Sequence, residues 1–320
     1  MEKRKLGRSG LEFAPIAFGG NVLGWTADEA TSHKLLDAFV DAGFTFVDTA
    51  DVYSRWAPGH KGGESEAVIG SWLKKDPKKR DKVLIATKCG MDMPNEGQGL
   101  SRAHIVKSVD NSLKRLNTDR IDLFQSHRDD KDTPQEETLS TYGELIKAGK
   151  LRAIGASNFE APRLAEAAKI SKDKGLPRYE SLQPHYNLVE RGLFEGELES
   201  ECLKEGIGVI PYWSLASGFL SGKYRSEADL GKSPRGPGGV KKYLNDKGFG
   251  VLKALDAAAK KHNSSNTTVA LAWLMQRKPI TAPIVSATSL AQLKDLLAAP
   301  SLKLDAESVA AIDKASAPAA

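Results

Sequence analysis

The chain has 320 residues, 40% of them hydrophobic and 27% charged, with 46 Lys+Arg against 41 Asp+Glu for a formal net charge of +5. A chain this long buries roughly three quarters of its unfolded surface, and a small, dispersed positive excess argues against a nucleic-acid partner. No run approaches the ~20 apolar residues of a membrane span, no apolar stretch of signal-peptide length follows Met-Glu-Lys-Arg-Lys, and two distant cysteines, Cys89 and Cys202, exclude a disulfide framework. A reducing, cytoplasmic setting is the reading these features favour. Asn263-Ser-Ser and Asn266-Thr-Thr fit the glycosylation pattern but read as helix-cap and turn residues.

Residues 3–14, with Gly7 and Gly10 between short apolar strings, predict a β-hairpin. Ile16 to Asn21 reads as a short strand running into a turn at Gly19-Gly20. Leu35, Leu36, Phe39 and Val40 repeat at helical spacing over 28–42, and Gly43 stops them. Phe44-Thr-Phe-Val-Asp48 follows as a buried strand ending in a carboxylate. After a Gly/Pro-punctuated loop (54–63) and a helix over 64–75, the pattern becomes regular. Strands over 83–88, 121–127, 153–158 and 181–187 lead to helices over 102–116, 134–148, 160–171 and 194–205. A strand over 207–212 leads instead to an aperiodic stretch, 218–246, whose length and position point to a lid. Helices over 247–262 and 267–277, a strand over 282–286 and helices over 289–298 and 305–315 complete the chain.

Eight strands, starting near 16, 44, 83, 121, 153, 181, 207 and 282, each followed by a helix, demand a parallel sheet. Eight such units at this length predict an α/β fold, a closed (β/α)8 TIM barrel with an N-terminal β-hairpin and extra helices near the C-terminus, as one domain over 1–320. A doubly wound open sheet is the alternative. No Gly-x-Gly-x-x-Gly follows the first strand, which removes the main support for its dinucleotide-binding version.

In a barrel, polar residues at the C-terminal strand ends converge on one pocket. Asp48, Lys88 and His127 end the second, third and fourth strands, and Tyr53 lies in the loop after the second. A buried lysine keeps its proton only beside a counter-charge, so Asp48 and Lys88 form the natural pair. A phenol with a pKa of ~10 exchanges protons poorly at neutral pH. An adjacent ammonium is expected to lower that value, and a neighbouring imidazole to share the proton or orient a carbonyl. The set suits a carbonyl oxygen that gains a proton as hydride reaches its carbon. A strand-end Lys–Asp pair alone can be scaffold, but four such groups on consecutive strands favour chemistry.

The motifs Asp48-Thr-Ala-x-x-Tyr53, Thr87-Lys88, His127-Arg128, Gly155-Ala-Ser-Asn-Phe159, Gln183-Pro-His-Tyr-Asn187 and Tyr212-Trp-Ser-Leu-Ala-Ser-Gly-Phe-Leu-Ser-Gly-Lys223 span nearly the whole chain. In this order they resemble the aldo-keto reductase superfamily, nearer its bacterial and plant-type branches than the mammalian aldose reductases. The resemblance implies an NADPH-dependent reductase of aldehydes or ketones, without a metal. It assigns Tyr53 as general acid in reduction and base in alcohol oxidation, Lys88 held by Asp48 as the group that tunes it, and His127 as the group that orients the carbonyl. It also implies Ser157, Asn158 and Gln183 at the nicotinamide carboxamide, and Tyr212 stacked on the nicotinamide ring. Ser214, Leu215, Ser217 and Lys223 would surround the pyrophosphate, with further nucleotide contacts from Gly20, Asn21, Trp213, Ser286, Thr288 and Gln292.

The chain also departs from its relatives. Trp213-Ser214 stands where they commonly have Ser-Pro. Ser286-Ala-Thr-Ser289, then Gln292 and Leu296, stand where animal members place Lys-Ser, Arg and Asn around the adenosine 2′-phosphate. Charge-assisted phosphate contacts of that kind contribute ~1.5–3 kcal/mol each. NADP(H) is therefore expected through the helix N-terminus near Ser289 and loop arginines, with NAD(H) as the alternative. Trp25, Tyr53, Trp56 and His127 suggest an aromatic-walled pocket, to which loops 54–63 and 91–99 could add. The expected partner is a small carbonyl or alcohol compound, with neither nucleic acid nor membrane, for a monomer or weak homo-oligomer. Two competing readings share the fold: a Schiff-base aldolase using Lys88, and a non-catalytic nucleotide-binding member comparable to the β subunits of potassium channels.

Overall fold

The hairpin at the N-terminus, β1 (Arg4–Lys5) paired antiparallel with β2 (Glu12–Phe13), is followed by eight parallel strands. These are β3 (Ala17–Gly19), β4 (Phe46–Asp48), β5 (Leu84–Cys89), β6 (Ile121–Ser126), β7 (Leu151–Ser157), β8 (Tyr179–Gln183), β9 (Gly208–Val209) and β10 (Ile284–Val285). This computed structural model describes residues 2–94, 96–234 and 236–318. Neighbours run β10-β3-β4-β5-β6-β7-β8-β9, and the two ends meet. Thr281 N donates to Val209 O at 2.7 Å and Ile284 N to Pro211 O at 2.9 Å. The sheet thus curls on itself as the (β/α)8 pattern requires.

Helices α1 (Glu29–Asp41), α2 (Glu64–Lys75), α3 (Arg102–Leu116), α4 (Gln135–Lys147), α5 (Ala161–Lys174) and α6 (Glu197–Glu205) follow β3 to β8 in turn. Side-chain caps fix several starts: Asp28 accepts from Thr31 N and Ser101 from His104 N. Left-handed Asn117, Gly175 and Gly206 end α3, α5 and α6.

After β9 the chain does not form a structureless loop. It winds through 3₁₀ turns at Ala216–Ser221 and Glu227–Lys232, the short α7 (Gly236–Gly239), and another 3₁₀ turn at Lys241–Tyr243. Arg225 clamps Asp256 with bonds of 2.9 and 2.7 Å, and Lys242 and Tyr243 both donate to Glu190, at 2.6 and 3.0 Å. The described residues of the stretch read as a lid are thus tied to the rest of the fold at Asp256 and Glu190. Helices α8 (Asp246–Lys261), α9 (Asn266–Met275), α10 (Leu290–Leu297) and α11 (Ala306–Ser316) complete the fold.

The strand expected over 44–48 is Phe46–Asp48, and three others are shortened beside a proline. The strands expected over 181–187, 207–212 and 282–286 contract to Tyr179–Gln183, Gly208–Val209 and Ile284–Val285. Pro184, Pro211 and Pro283 lack the N–H that a ladder needs. No helix among the described residues is long and apolar enough to cross a membrane.

Period-two alternation sorts the barrel interior into layers. At the bottom, Leu6, Leu11 and Phe13 of the hairpin pack against Ala17, Phe46, Ala86, Leu123, Ala153, Ile210 and Ala282. Phe13 stacks on Phe46 with centroids 4.2 Å apart. Two residues further along, the same faces of β4, β5 and β6 carry Asp48, Lys88 and Gln125, all buried. The apolar layer is a floor for a polar one.

Outside the barrel, α2 and α3 touch through backbone. A β-carbon on Gly70 would lie 2.0 Å from Arg115 O, a main-chain atom with no rotamer to yield. Gly70→Ala is therefore expected to destabilise the fold by about 1–3 kcal/mol or more. Urea unfolding reads this directly; an unchanged midpoint would mean the helices do not approach this closely.

Candidate functional site

Lys88 is fully buried, and an ammonium has three protons to place. Nζ donates to Asp48 Oδ2 at 2.7 Å, to the Thr49 carbonyl at 2.6 Å and to the Tyr53 hydroxyl at 3.0 Å. The partner that the sequence pairs with Asp48 is the one present. Because Lys88 fills an acceptor position on the Tyr53 oxygen, the phenolic proton is left to point elsewhere. The ammonium also lies 4.5 Å from the Tyr53 ring centroid.

The electrostatics sharpen this picture. Burial pushes the Tyr53 phenol up to about 12, against the downward pull of Lys88. Adjacency to the ammonium predicts a phenol below its ordinary value; loss of water outweighs that pull, because a phenolate in this pocket has one cation and little solvent. Burial alone would strip Lys88 of its proton, but Asp48 and Tyr53 together raise it. His127 is held well below the ordinary imidazole range by burial, then by the charges of Lys88 and Arg128. It is neutral at neutral pH.

His127 sits edge-on to Tyr53, with ring centroids 5.9 Å apart. Its backbone N–H donates to Cys89 O and its carbonyl accepts from Asn158 Nδ2 at 2.9 Å. Nδ1 is buried without a hydrogen-bond partner among the described residues. A buried acceptor left unpaired costs less than a buried donor, so the ring proton belongs on Nε2. Trp56 packs against Tyr53 (6.0 Å) and edge-on to Trp25 (5.6 Å), and it is 49% exposed. The aromatic wall read from Trp25, Tyr53, Trp56 and His127 is thus one continuous cluster.

The residues expected at a nucleotide line the adjoining strand ends. Ser157 Oγ donates to Gln183 O at 2.9 Å, and the Tyr212 hydroxyl donates to Asn158 Oδ1 at 2.9 Å. Tyr212 has one face near His185 (centroids 5.4 Å, interplanar 21°), and Trp213 abuts both rings edge-on. Trp213 is 46% exposed and holds φ +54°, a left-handed conformation that is costly for a bulky side chain. Its carbonyl accepts from Asn187 Nδ2 at 2.9 Å, which helps keep it there. A cavity of ≈ 690 Å³ opens beside Asn158, His185 and Tyr212.

Other members of the set are partly committed to the fold. Ser214 is buried and its hydroxyl donates to Pro211 O. Leu215 packs against the core, Ser217 lies in a left-handed kink, and the Lys223 ammonium lies 5.1 Å from the Tyr224 ring centroid. A β-carbon on Gly20 would meet Asp48 O at 2.9 Å, so only glycine fits there. The Ser286 hydroxyl shares its proton between Gly19 O and Asn21 Oδ1. Gln292 Oε1 accepts from Thr288 N–H at 2.9 Å, and Ser289 caps α10.

Two residues emerge that the sequence did not single out. Gln125 donates to Asp48 Oδ1 at 3.1 Å, beside Gln183 at 3.0 Å. Its signal was present: it precedes His127 by two positions and so shares its face of the strand read over 121–127. Asp51 is the other. Neither of its carboxyl oxygens has a hydrogen-bond partner among the described residues, and burial, then Glu66, push it well above the ordinary carboxylate range.

A family model and three relatives bear on this site. The sequence model of the Aldo/keto reductase family matches residues 15–317. The chain is 33% identical over 314 residues to an uncharacterized oxidoreductase, YrpG, of Bacillus subtilis, covering 96% of this chain and 93% of that protein. It is 31% identical over 330 residues to the L-glyceraldehyde 3-phosphate reductase of Escherichia coli O157:H7 (98% and 92% covered). Over 347 residues it is 30% identical to the versiconal hemiacetal acetate reductase of Aspergillus parasiticus (100% and 98%).

Two stability measurements test the electrostatics. Lys88→Met strands Asp48 as a buried, uncompensated charge and is expected to cost about 3–5 kcal/mol in chemical denaturation. Adding Asp48→Leu should restore part of that loss, and a double variant less stable than the single one would contradict the pairing. Asp51 has a raised folded value, so it favours the fold below the ordinary carboxylate range, and this contribution is lost as pH rises toward its own value. Asp51→Asn should therefore gain on the native protein in Tm between pH 4 and pH 8. A constant difference across that window would remove ionisation as the cause.

Proposed function

Because the chain belongs to the aldo/keto reductase family, we propose that it reduces aldehydes or ketones to alcohols, with NADPH as the hydride source and Tyr53 as the proton donor. The observation that carries this reading is the three-way placement of Lys88's protons on Asp48, Thr49 and Tyr53. The names of two relatives, an L-glyceraldehyde 3-phosphate reductase and a versiconal hemiacetal acetate reductase, are consistent with it.

The residues divide the work. Tyr53, accepting from Lys88, turns its proton toward the pocket and hands it to the carbonyl oxygen. Lys88 then lies 3.0 Å from the oxygen on which negative charge develops, and Asp48 holds that ammonium in place. Neutral His127 presents Nε2–H to the same carbonyl oxygen and fixes its direction. The half-buried aromatic wall excludes water from the transfer. In alcohol oxidation Tyr53 works in reverse, as a base.

A nicotinamide nucleotide, when bound, supplies the hydride. The polar groups fit it: Ser157, Asn158 and Gln183 offer amide and hydroxyl groups on adjacent strand ends, and Tyr212 offers a ring surface beside them. Trp213 and the backbone of Ser214, Leu215 and Ser217, with Lys223, would flank the pyrophosphate. Gly20, Asn21 and Ser286 would border the ribose side. For the 2′-phosphate, Thr288, Ser289 and Gln292 at the start of α10 would supply neutral donors. Arg225 is engaged by Asp256, and Arg235 lies outside the described residues. NADH is accordingly the alternative nucleotide. A cytoplasmic monomer or weak homo-oligomer is part of this proposal, in keeping with two free, buried cysteines.

The aldolase reading fits less well. A Schiff-base lysine must shed its proton to attack, whereas Lys88 is raised and all three of its protons are bonded.

A panel of aldehydes and ketones followed at the nicotinamide absorbance, with NADPH and NADH in parallel, tests activity and nucleotide choice together. Tyr53→Phe should bind NADPH as the native protein does and lose at least ~10²-fold in kcat, the contribution of a general acid. Turnover near the native rate would end the assignment of Tyr53. With the phenol near 12, carbonyl reduction should persist into alkaline pH, while alcohol oxidation, which needs the phenolate, should climb with pH. An oxidation rate that is flat from pH 6 to 10 would contradict this.

A further inference from the structure

Asp48 is a fully buried carboxylate, and Lys88 is only one of its donors. Oδ2 accepts from Lys88, while Oδ1 accepts from Gln125 Nε2 at 3.1 Å and Gln183 Nε2 at 3.0 Å. A carboxylate has only acceptor sites, so each glutamine must turn its amide nitrogen to it. The two amides also lock each other, since Gln183 Nε2 lies 3.2 Å from Gln125 Oε1. Space for Gln125 is built into the neighbouring strand. A β-carbon on Gly155 would stand 3.2 Å from Gln125 Cγ and 2.1 Å from Ser181 Oγ.

The two glutamines are not equivalent. Under the proposed reading, Gln183 is shared with the nicotinamide nucleotide. Gln125 is fully buried, and among the described residues its side chain bonds only to Asp48 and Gln183. We propose that Gln125 is a positioning residue for the proton transfer: by donating to Asp48 Oδ1 it draws carboxylate charge away from Lys88 and so sets how strongly that ammonium polarises Tyr53.

The physical chain is short. A buried carboxylate that loses a donor becomes more basic and draws its remaining partner closer. Lys88 would then be more fully neutralised by Asp48 and would offer less positive charge to the phenol oxygen. The charged or titratable groups facing Tyr53 are Lys88 and Asp48, with His127 edge-on. Lys88 is the one that pulls the phenol toward ionisation. Weakening it moves the proton transfer to higher pH without removing any group that touches the substrate.

The inference rests on Tyr53 as the acid/base, and its test separates the two. Alcohol oxidation is measured against pH at saturating nucleotide for the native protein, Gln125→Met and Gln125→Glu, with nucleotide affinity read from tryptophan quenching. For Gln125→Met the ascending limb should move up by about 0.5–1 pH unit, the equivalent of one redistributed hydrogen bond. That is a roughly three- to tenfold loss at neutral pH, recovered in alkali, with nucleotide affinity within about twofold of native. Gln125→Glu can donate to Asp48 only as the neutral acid, so it should approach native rates at acid pH and fall away as the new carboxyl ionises. If Gln125→Met does not fold, Gln125→Glu still tests the role, through that loss with rising pH. Rates reduced equally at every pH, or an unmoved limb, would overturn the role of Gln125 and leave Tyr53 standing. Native turnover by Tyr53→Phe would instead bring down the underlying reading.

Discussion

A lysine and an aspartate, both without contact with water, sit at the mouth of this barrel and depend on each other. Neither charge could be buried alone: an isolated ion in a low-dielectric interior costs many kcal/mol, and it would shed or gain a proton instead. Together, with Thr49 O, two glutamine amides and a phenol, they are fully hydrogen-bonded. Such pairs seldom add to stability over an apolar replacement. The ion pair is therefore better understood as a constraint on geometry, with the surrounding scaffold bearing its cost.

That constraint explains the layering inside the barrel. The same alternation that places Phe46, Ala86 and Leu123 in the apolar floor places Asp48, Lys88 and Gln125 two residues higher. Glycine at 155 makes room in the polar layer, and glycine at 20 lets the first strand's turn pass within van der Waals reach of Asp48 O. The polar layer is over-determined, which is what holding a charge at fixed distance from a phenol requires.

Much of the fold was legible because its signals are local. The helix read over 64–75 is Glu64–Lys75, and that read over 102–116 is Arg102–Leu116; glycines, caps and apolar spacing mark such ends. Strand lengths were less legible, since apolar runs continue through Pro184, Pro211 and Pro283 where the ladder cannot. At the site, Asp48, Tyr53, Lys88 and His127 do converge, as their positions at successive strand ends require. The direction of the Tyr53 shift was not readable, because it turns on how much water reaches one oxygen, a property of the assembled pocket. Gln125 was hidden by its chemistry: a glutamine in a strand reads as a solvent-facing polar residue unless its two-residue spacing from His127 is used to assign its face. Asp51 was hidden for a related reason, since nothing in Asp-Thr-Ala-Asp-Val-Tyr distinguishes the paired acid from the unpaired one.

The hairpin lies at the opposite end of the barrel from this chemistry, yet it bears on it. Phe13 lies flat on Phe46 and closes the lower end of the barrel, so the interior is a vessel with one opening. Everything that distinguishes one substrate from another must then be written in the loops around that opening, on a floor those loops never touch. Sequence drift in the rim and persistence of the floor are separable by construction. A chain built in this way can change what it acts on while leaving untouched the part that makes it fold.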